Sequence, residues 1–191
     1  KECMPDAMQK KPGRSELSTI KPTPDSLLTS ADIQAFARTI DAVEDWYQTG
    51  DNRYQLSRIS SMLWSYEFDE NPAVVAGLRE GVNPCARLVQ KARLMGQELE
   101  LAKKVAGEGF TLNEWAYTCD KTIKAYRLSR ISSSLMQAIR AYKSGLYDDE
   151  ISKLSPKSQA FRYATMQAIV SAYNAPLADV VEVQKNRPLL E

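Results

Sequence analysis

Beyond residue 30, apolar residues recur at steps of three and four, and no run alternates convincingly with period two. This pattern predicts an all-α fold. The longest such run lies between Thr111 and Ser144. Thr111-Leu112-Asn113-Glu114 reads as a capping box, in which hydroxyl and carboxylate satisfy the first free amides of a helix. No Pro or Gly follows until Gly145, a residue that readily takes the left-handed conformation ending a helix. The expectation is one helix over about 112–144, roughly 50 Å long at 1.5 Å per residue. Leu112, Ala116, Cys119, Ile123 and Tyr126 line its first half. Leu128, Ile131, Leu135, Ala138 and Tyr142 line its second. The two stripes are displaced near Arg127 and Arg130, so the helix either bends there or meets different neighbours along its length. Such an element belongs at the centre of a helical bundle of about six to eight helices.

The remaining helices are marked mainly at their ends. Ser30 is expected to cap a helix over 31–49, with Ile33, Phe36, Ile40, Val43 and Tyr47 on one face and Gly50 as its stop. A second helix is expected over 52–68, with Leu56, Ile59, Leu63 and Tyr66 inward. Asn71-Pro72 and Asn83-Pro84 each pair a capping side chain with proline at the first helical position. They open a short helix ending at Gly81 and a longer one through about Ala106, linked onward by Gly107 and Gly109. Ser155-Pro156 repeats the signal for a helix through about Tyr173, after a short turn over 148–154. Pro176 can begin one more.

Residues 1–30 carry four of the nine prolines and no aromatic residue, which suits an extended arm in front of a single domain over 31–191. The chain begins at Lys1 without a signal-type apolar core, giving the expectation of a processed or truncated form. The arm then reads as a spacer to a removed signal or lipid anchor, or as an ordinary ragged terminus. A partial repeat is also present. Tyr54 to Leu63 matches Tyr126 to Leu135 at eight of ten positions, which suggests a degenerate duplication of one helical unit (54–63 and 126–135).

Composition narrows the chemistry. With 191 residues and 43% hydrophobic content, the chain can bury a substantial core. A formal net charge of +1 gives no global field to recruit nucleic acid or an anionic membrane. Charge is nevertheless segregated: eight acidic against three basic residues over 31–70, then six basic against three acidic over both 71–106 and 107–146. The simplest use of that asymmetry is attraction between neighbouring helices. Histidine is absent, which removes the commonest metal ligand and the side chain best suited to acid–base work near neutral pH. No metal site or cofactor is called for, and no apolar run is long enough for a membrane-spanning helix.

Several side chains are candidates for function. Lys121, Lys124, Arg127 and Arg130 recur every three residues as a basic strip that could accept an anionic group. The competing reading pairs them with Asp41, Glu44 and Asp45 of the first helix. Trp46, Trp64, Tyr66 and Trp115 lie near helix ends, where aromatics either line a groove for a partner or cover the ends of a core. Asp148, Asp149 and Glu150 could serve a carboxylate-dependent hydrolase or transferase, but acidic residues at a helix start also interact with its dipole.

The cysteines stand at 3, 85 and 119. If the helices beginning at Pro84 and Leu112 form a simple antiparallel hairpin, Cys85 and Cys119 lie roughly 18 Å apart. A disulfide needs Cα atoms within about 7 Å. Cys3 on the arm is then the expected partner, with Cys119 preferred.

The leading reading is non-catalytic: a secreted or envelope-associated bacterial helical protein acting through contacts with a protein partner, with no nucleic acid and no catalytic residue assigned. Three free thiols would instead place it in a reducing compartment such as the cytoplasm. The rivals are the carboxylate enzyme and an anion-binding module on the basic strip.

Overall fold

The computed structural model describes residues 22–49 and 82–191. Among these residues the chain forms α1 (Ser30–Thr49), α2 (Pro84–Leu94), α3 (Glu98–Ala106), α4 (Leu112–Ser129), α5 (Ser133–Lys143), α6 (Asp148–Ser152), α7 (Pro156–Ala172) and α8 (Leu177–Lys185). A 3-10 turn follows over Arg187–Leu189, and the described residues contain no strand. The all-α expectation holds. The predicted helices over 52–68 and 72–81, Trp64, Tyr66, Cys3 and the first copy of the repeat lie outside the described residues.

The expected central helix is two helices. Its start is as predicted: the Thr111 hydroxyl accepts from the Glu114 amide at 3.3 Å, and the Glu114 carboxylate accepts from the Thr111 amide at 2.8 Å. It ends at Ser129, however, and α5 begins three residues beyond Arg130. Ser129 turns its hydroxyl back onto the Tyr126 carbonyl at 2.6 Å. Ser132 adopts an extended backbone and caps α5 by accepting from the Leu135 amide at 3.2 Å. Serines offer the backbone a local alternative to helical bonding, and here they take it where the apolar stripe shifts. Gly145 closes α5 as expected, with φ +75° and a Leu146 amide to Ala141 carbonyl bond of 3.0 Å.

α4 is the hub of the main body, contacted by α1, α2, α3 and α8. Its buried residues join those of α1, α2, α3 and α8 in one core, in which Trp115, Tyr126 and Phe36 are the largest enclosed side chains. The indole of Trp115 donates to the Thr39 hydroxyl at 2.8 Å, so this buried aromatic leaves no polar atom stranded. α5, α6 and α7 form a second packing unit around Ile139, Ala168 and Ile169, with Val82, Ile131 and Tyr173 against it.

Two boundaries differ from expectation. The cap of α1 is Thr29, which exchanges hydrogen bonds with Asp32 (2.7 Å between side chains). Ser30 instead donates to Glu182 and accepts from Asn186 of the C-terminal region. Residues 22–29 belong to the packed body and not to an arm. Leu28 is buried, its amide donates to buried Asp179 at 2.8 Å, and the Lys121 ammonium donates to the Thr23 and Ser26 carbonyls.

The predicted helix through Ala106 also breaks. Gly96 takes φ +69°, and the Gln97 amide bonds the Ala92 carbonyl at 2.8 Å, ending α2 in a left-handed cap. α2 then packs mainly on α4, whereas α3 packs mainly on α1. The simple hairpin register therefore fails, and with it the argument against Cys85–Cys119. Those two residues form a disulfide, with Cα atoms 6.1 Å apart. The expected Cys3–Cys119 pairing is corrected accordingly.

Candidate functional site

Asp120 is the most unusual polar residue of the body. It follows Cys119 on α4 and is almost completely buried, yet it makes two backbone contacts on α2: the Cys85 amide at 2.8 Å and the Ala86 amide at 3.1 Å. Asn83, the expected cap, makes no side-chain capping bond. A carboxylate from a neighbouring helix thus satisfies the free amides at the start of α2. Burial raises the Asp120 pKa to about 6, against the opposing pull of the two amides, Lys124 and Arg127. The Cys85 and Cys119 sulfurs and an Asp120 oxygen lie within 4.8 Å of one another. With the disulfide closed, these sulfurs are not thiolates, the form that binds a metal. The cluster is a staple: covalent bond and helix cap tie α2 to α4 at one point.

The basic strip is absorbed into the same body. Lys121 holds the 22–29 segment, and its pKa is lowered by burial, as is that of Lys124 near Asp120. Arg127 is buried. Arg130 donates to the Tyr126 hydroxyl at 3.1 Å and lies 3.5 Å from the Glu191 carboxylate, which also accepts from Tyr126 and Arg187. These partners are the loop before α1, α4 itself and the C-terminal turn. Lys121 and Arg130 are thus tied into the body by the 22–29 segment, Tyr126 and Glu191. Trp46 and Trp115 both lie in the main core. Asp148, Asp149 and Glu150 occupy consecutive positions of the short α6, so their carboxylates point about 100° apart and form no facing pair.

Among the described residues, an open concave feature lies on the second packing unit. A groove of about 780 Å³ runs between the start of α5, α6 and the first half of α7. Leu135, Ala138, Ile151, Leu154 and Met166 give it an apolar lining. Tyr147, Ser132 and Ser134 add hydroxyl-bearing residues to the lining, and Glu150 and Arg162 add one charged residue of each sign. The size is within the usual range for binding clefts, and the lining is largely apolar with a few orienting polar groups.

Of the described candidate functional residues named from the sequence, Glu150 is the one in this groove's lining. The usable signal was the second stripe of the 112–144 run, Leu135 and Ala138, which had no obvious partner. Ile151 and Leu154, three apart in the stretch expected to be a turn, supply that partner. No protein-family model, curated protein or solved structure matches the chain.

Proposed function

We propose that this is a non-catalytic helical protein of an oxidising compartment, secreted or envelope-associated, that acts by binding a segment of a partner protein. The observation that carries the reading is the groove across α5–α7. Its lining residues come from helices and the turns beside them, and its exposed surface is largely apolar. An amphipathic helix with apolar residues at i, i+4 and i+7 is the occupant that matches such a surface. The Cys85–Cys119 disulfide supports the compartment, because buried structural disulfides persist where thiols are not kept reduced.

Site-specific photocrosslinking tests the proposal. A photoreactive residue at Ser134 or Leu154 should give a discrete adduct with one partner protein. The same residue at exposed Gln167, outside the groove lining, should not. Ala138→Trp, which fills the groove, should abolish the adduct while leaving the fold intact by circular dichroism. Equal labelling from Gln167, or an adduct indifferent to Ala138→Trp, would refute the assignment.

A further inference from the structure

α6 brings a carboxylate to an apolar surface. The helix carries Asp148, Asp149 and Glu150 and no basic residue. Glu150 and Ile151 both belong to the groove lining, together with Leu154 just beyond the helix end. Successive helical positions point about 100° apart, and the two residues differ in surroundings accordingly: Ile151 is buried and Glu150 is exposed. Ile151 therefore roots α6 in the second packing unit while the carboxylate stays in water. Leu154 is 40% exposed and follows one turn after Ile151, its amide bonded to the Ile151 carbonyl at 3.0 Å.

The neighbouring charges have other roles. Arg162, the cation of the lining, already has a partner within the fold. Lys153 and Lys157, the next cations along the chain, are not lining residues. Asp148 accepts from the Tyr163 hydroxyl at 3.5 Å. Among the described residues, no hydrogen bond or ion pair holds the Glu150 side chain. While the groove is open, water solvates that carboxylate. An occupant that covers Leu135 and Leu154 displaces part of this water, and an apolar or acidic group above Glu150 replaces it with nothing. An ammonium or guanidinium replaces it with a charge-assisted hydrogen bond. Lysine and arginine also lay their stems along apolar surface while keeping the charged head in water, which suits a carboxylate beside Leu154.

Resting on the reading of the groove as a surface for a helical partner segment, we infer that this segment is basic, with a lysine or arginine bordering its apolar stripe and pairing with Glu150. The apolar lining selects the stripe, and Glu150 selects what lies next to it. A formal net charge of +1 means that the chain as a whole does not attract cations, so the selectivity resides at the groove.

Fluorescence anisotropy with three synthetic amphipathic peptides tests the inference on the full, oxidised chain. The peptides share a leucine stripe at i, i+4 and i+7 and carry lysine, glutamine or glutamate at the flanking positions. Affinity should fall in the order lysine, glutamine, glutamate, spanning about tenfold, with attraction and repulsion each contributing a few-fold. Added salt should narrow the span. Glu150→Gln alters an exposed position, should melt like the parent chain, and should bring the lysine and glutamate peptides together in affinity. Equal binding of all three peptides, abolished by Ala138→Trp, would overturn the basic partner and leave the groove as a binding surface. Preference for the glutamate peptide, or a lysine preference that survives Glu150→Gln, would overturn it likewise. Binding of no peptide, or binding indifferent to Ala138→Trp, would overturn the groove reading together with the inference.

Discussion

Replacing Asp120 by Asn should change how stability depends on pH, and in a direction opposite to that of most carboxylates. Asp120 titrates near 3.8 when unfolded, and its pKa is raised to about 6 in the fold, mainly by burial. Between those values the native protein holds a proton that the unfolded chain has released. Stability contributed by this group is therefore fully present below pH 4 and is lost as pH rises through 6. Each pH unit is worth about 1.4 kcal/mol, so a shift of about two units amounts to about 3 kcal/mol. Asparagine cannot titrate. It keeps one oxygen for the Cys85 or Ala86 amide and turns a donor toward the other, a cost that is the same at every pH. Urea unfolding followed by tryptophan fluorescence, with the disulfide intact, gives both curves. The stability of the Asn variant relative to the parent should rise by about 2.4 kcal/mol from pH 4 to pH 7. Other titrating groups cancel in the difference. A flat difference would show that the amides and cations offset burial completely. A difference of opposite sign would show that they exceed it, and either result refutes the account of Asp120 as a burial-dominated cap.

Exchanging both Cys85 and Cys119 for Ser removes a crosslink across 34 residues, and loop entropy puts the loss at about 4 kcal/mol. Denaturation of the variant with and without reductant should superimpose, while the parent should be destabilised by reductant. The two cap glycines should differ under substitution by alanine. Gly96→Ala meets no atom within 4 Å and should cost about 1 kcal/mol from its positive φ alone, whereas Gly145→Ala also drives a Cβ to 2.9 Å from the Asp148 carboxylate and should cost more. Thermal melts of the pair would decide it, with equal losses contradicting the contact.

Signals confined to three or four residues were legible in the sequence. Thr111 with Glu114, Ser155 before Pro156, and Gly145 each act through bonds that close within one turn, and each was read correctly. What failed was decided by distant chain. Ser132 could have continued a helix; the separate packing of α4 and α5 made it a cap. Asp120 caps a helix that starts 36 residues before it, so no local pattern announces it. The disulfide was misjudged because the helix opened at Pro84 was expected to run through about Ala106, whereas the Gly96 turn ends α2 and resets its register on α4. The candidate groove was sought among Trp46, Trp64, Tyr66 and Trp115 because large aromatics serve grooves and cores alike. Trp46 and Trp115 went to the core, and the groove was built from aliphatic positions on three short helices.

The break at Ser129–Ser133 divides the chain into regions of unequal tenacity. Of the described residues, 23 are buried in the apolar cluster around α4, which also holds the covalent crosslink, against three in the cluster of α5–α7. Native proteins open by cooperative parts, and the part with the smaller enclosed core opens at the lower free energy. Among the described residues the groove therefore sits on the unit with the smaller enclosed core, for which the lower opening free energy is expected. An occupant there does more than fill a surface: by binding only the closed arrangement it raises the opening free energy of the whole α5–α7 unit, and its affinity is reduced by the cost of that ordering.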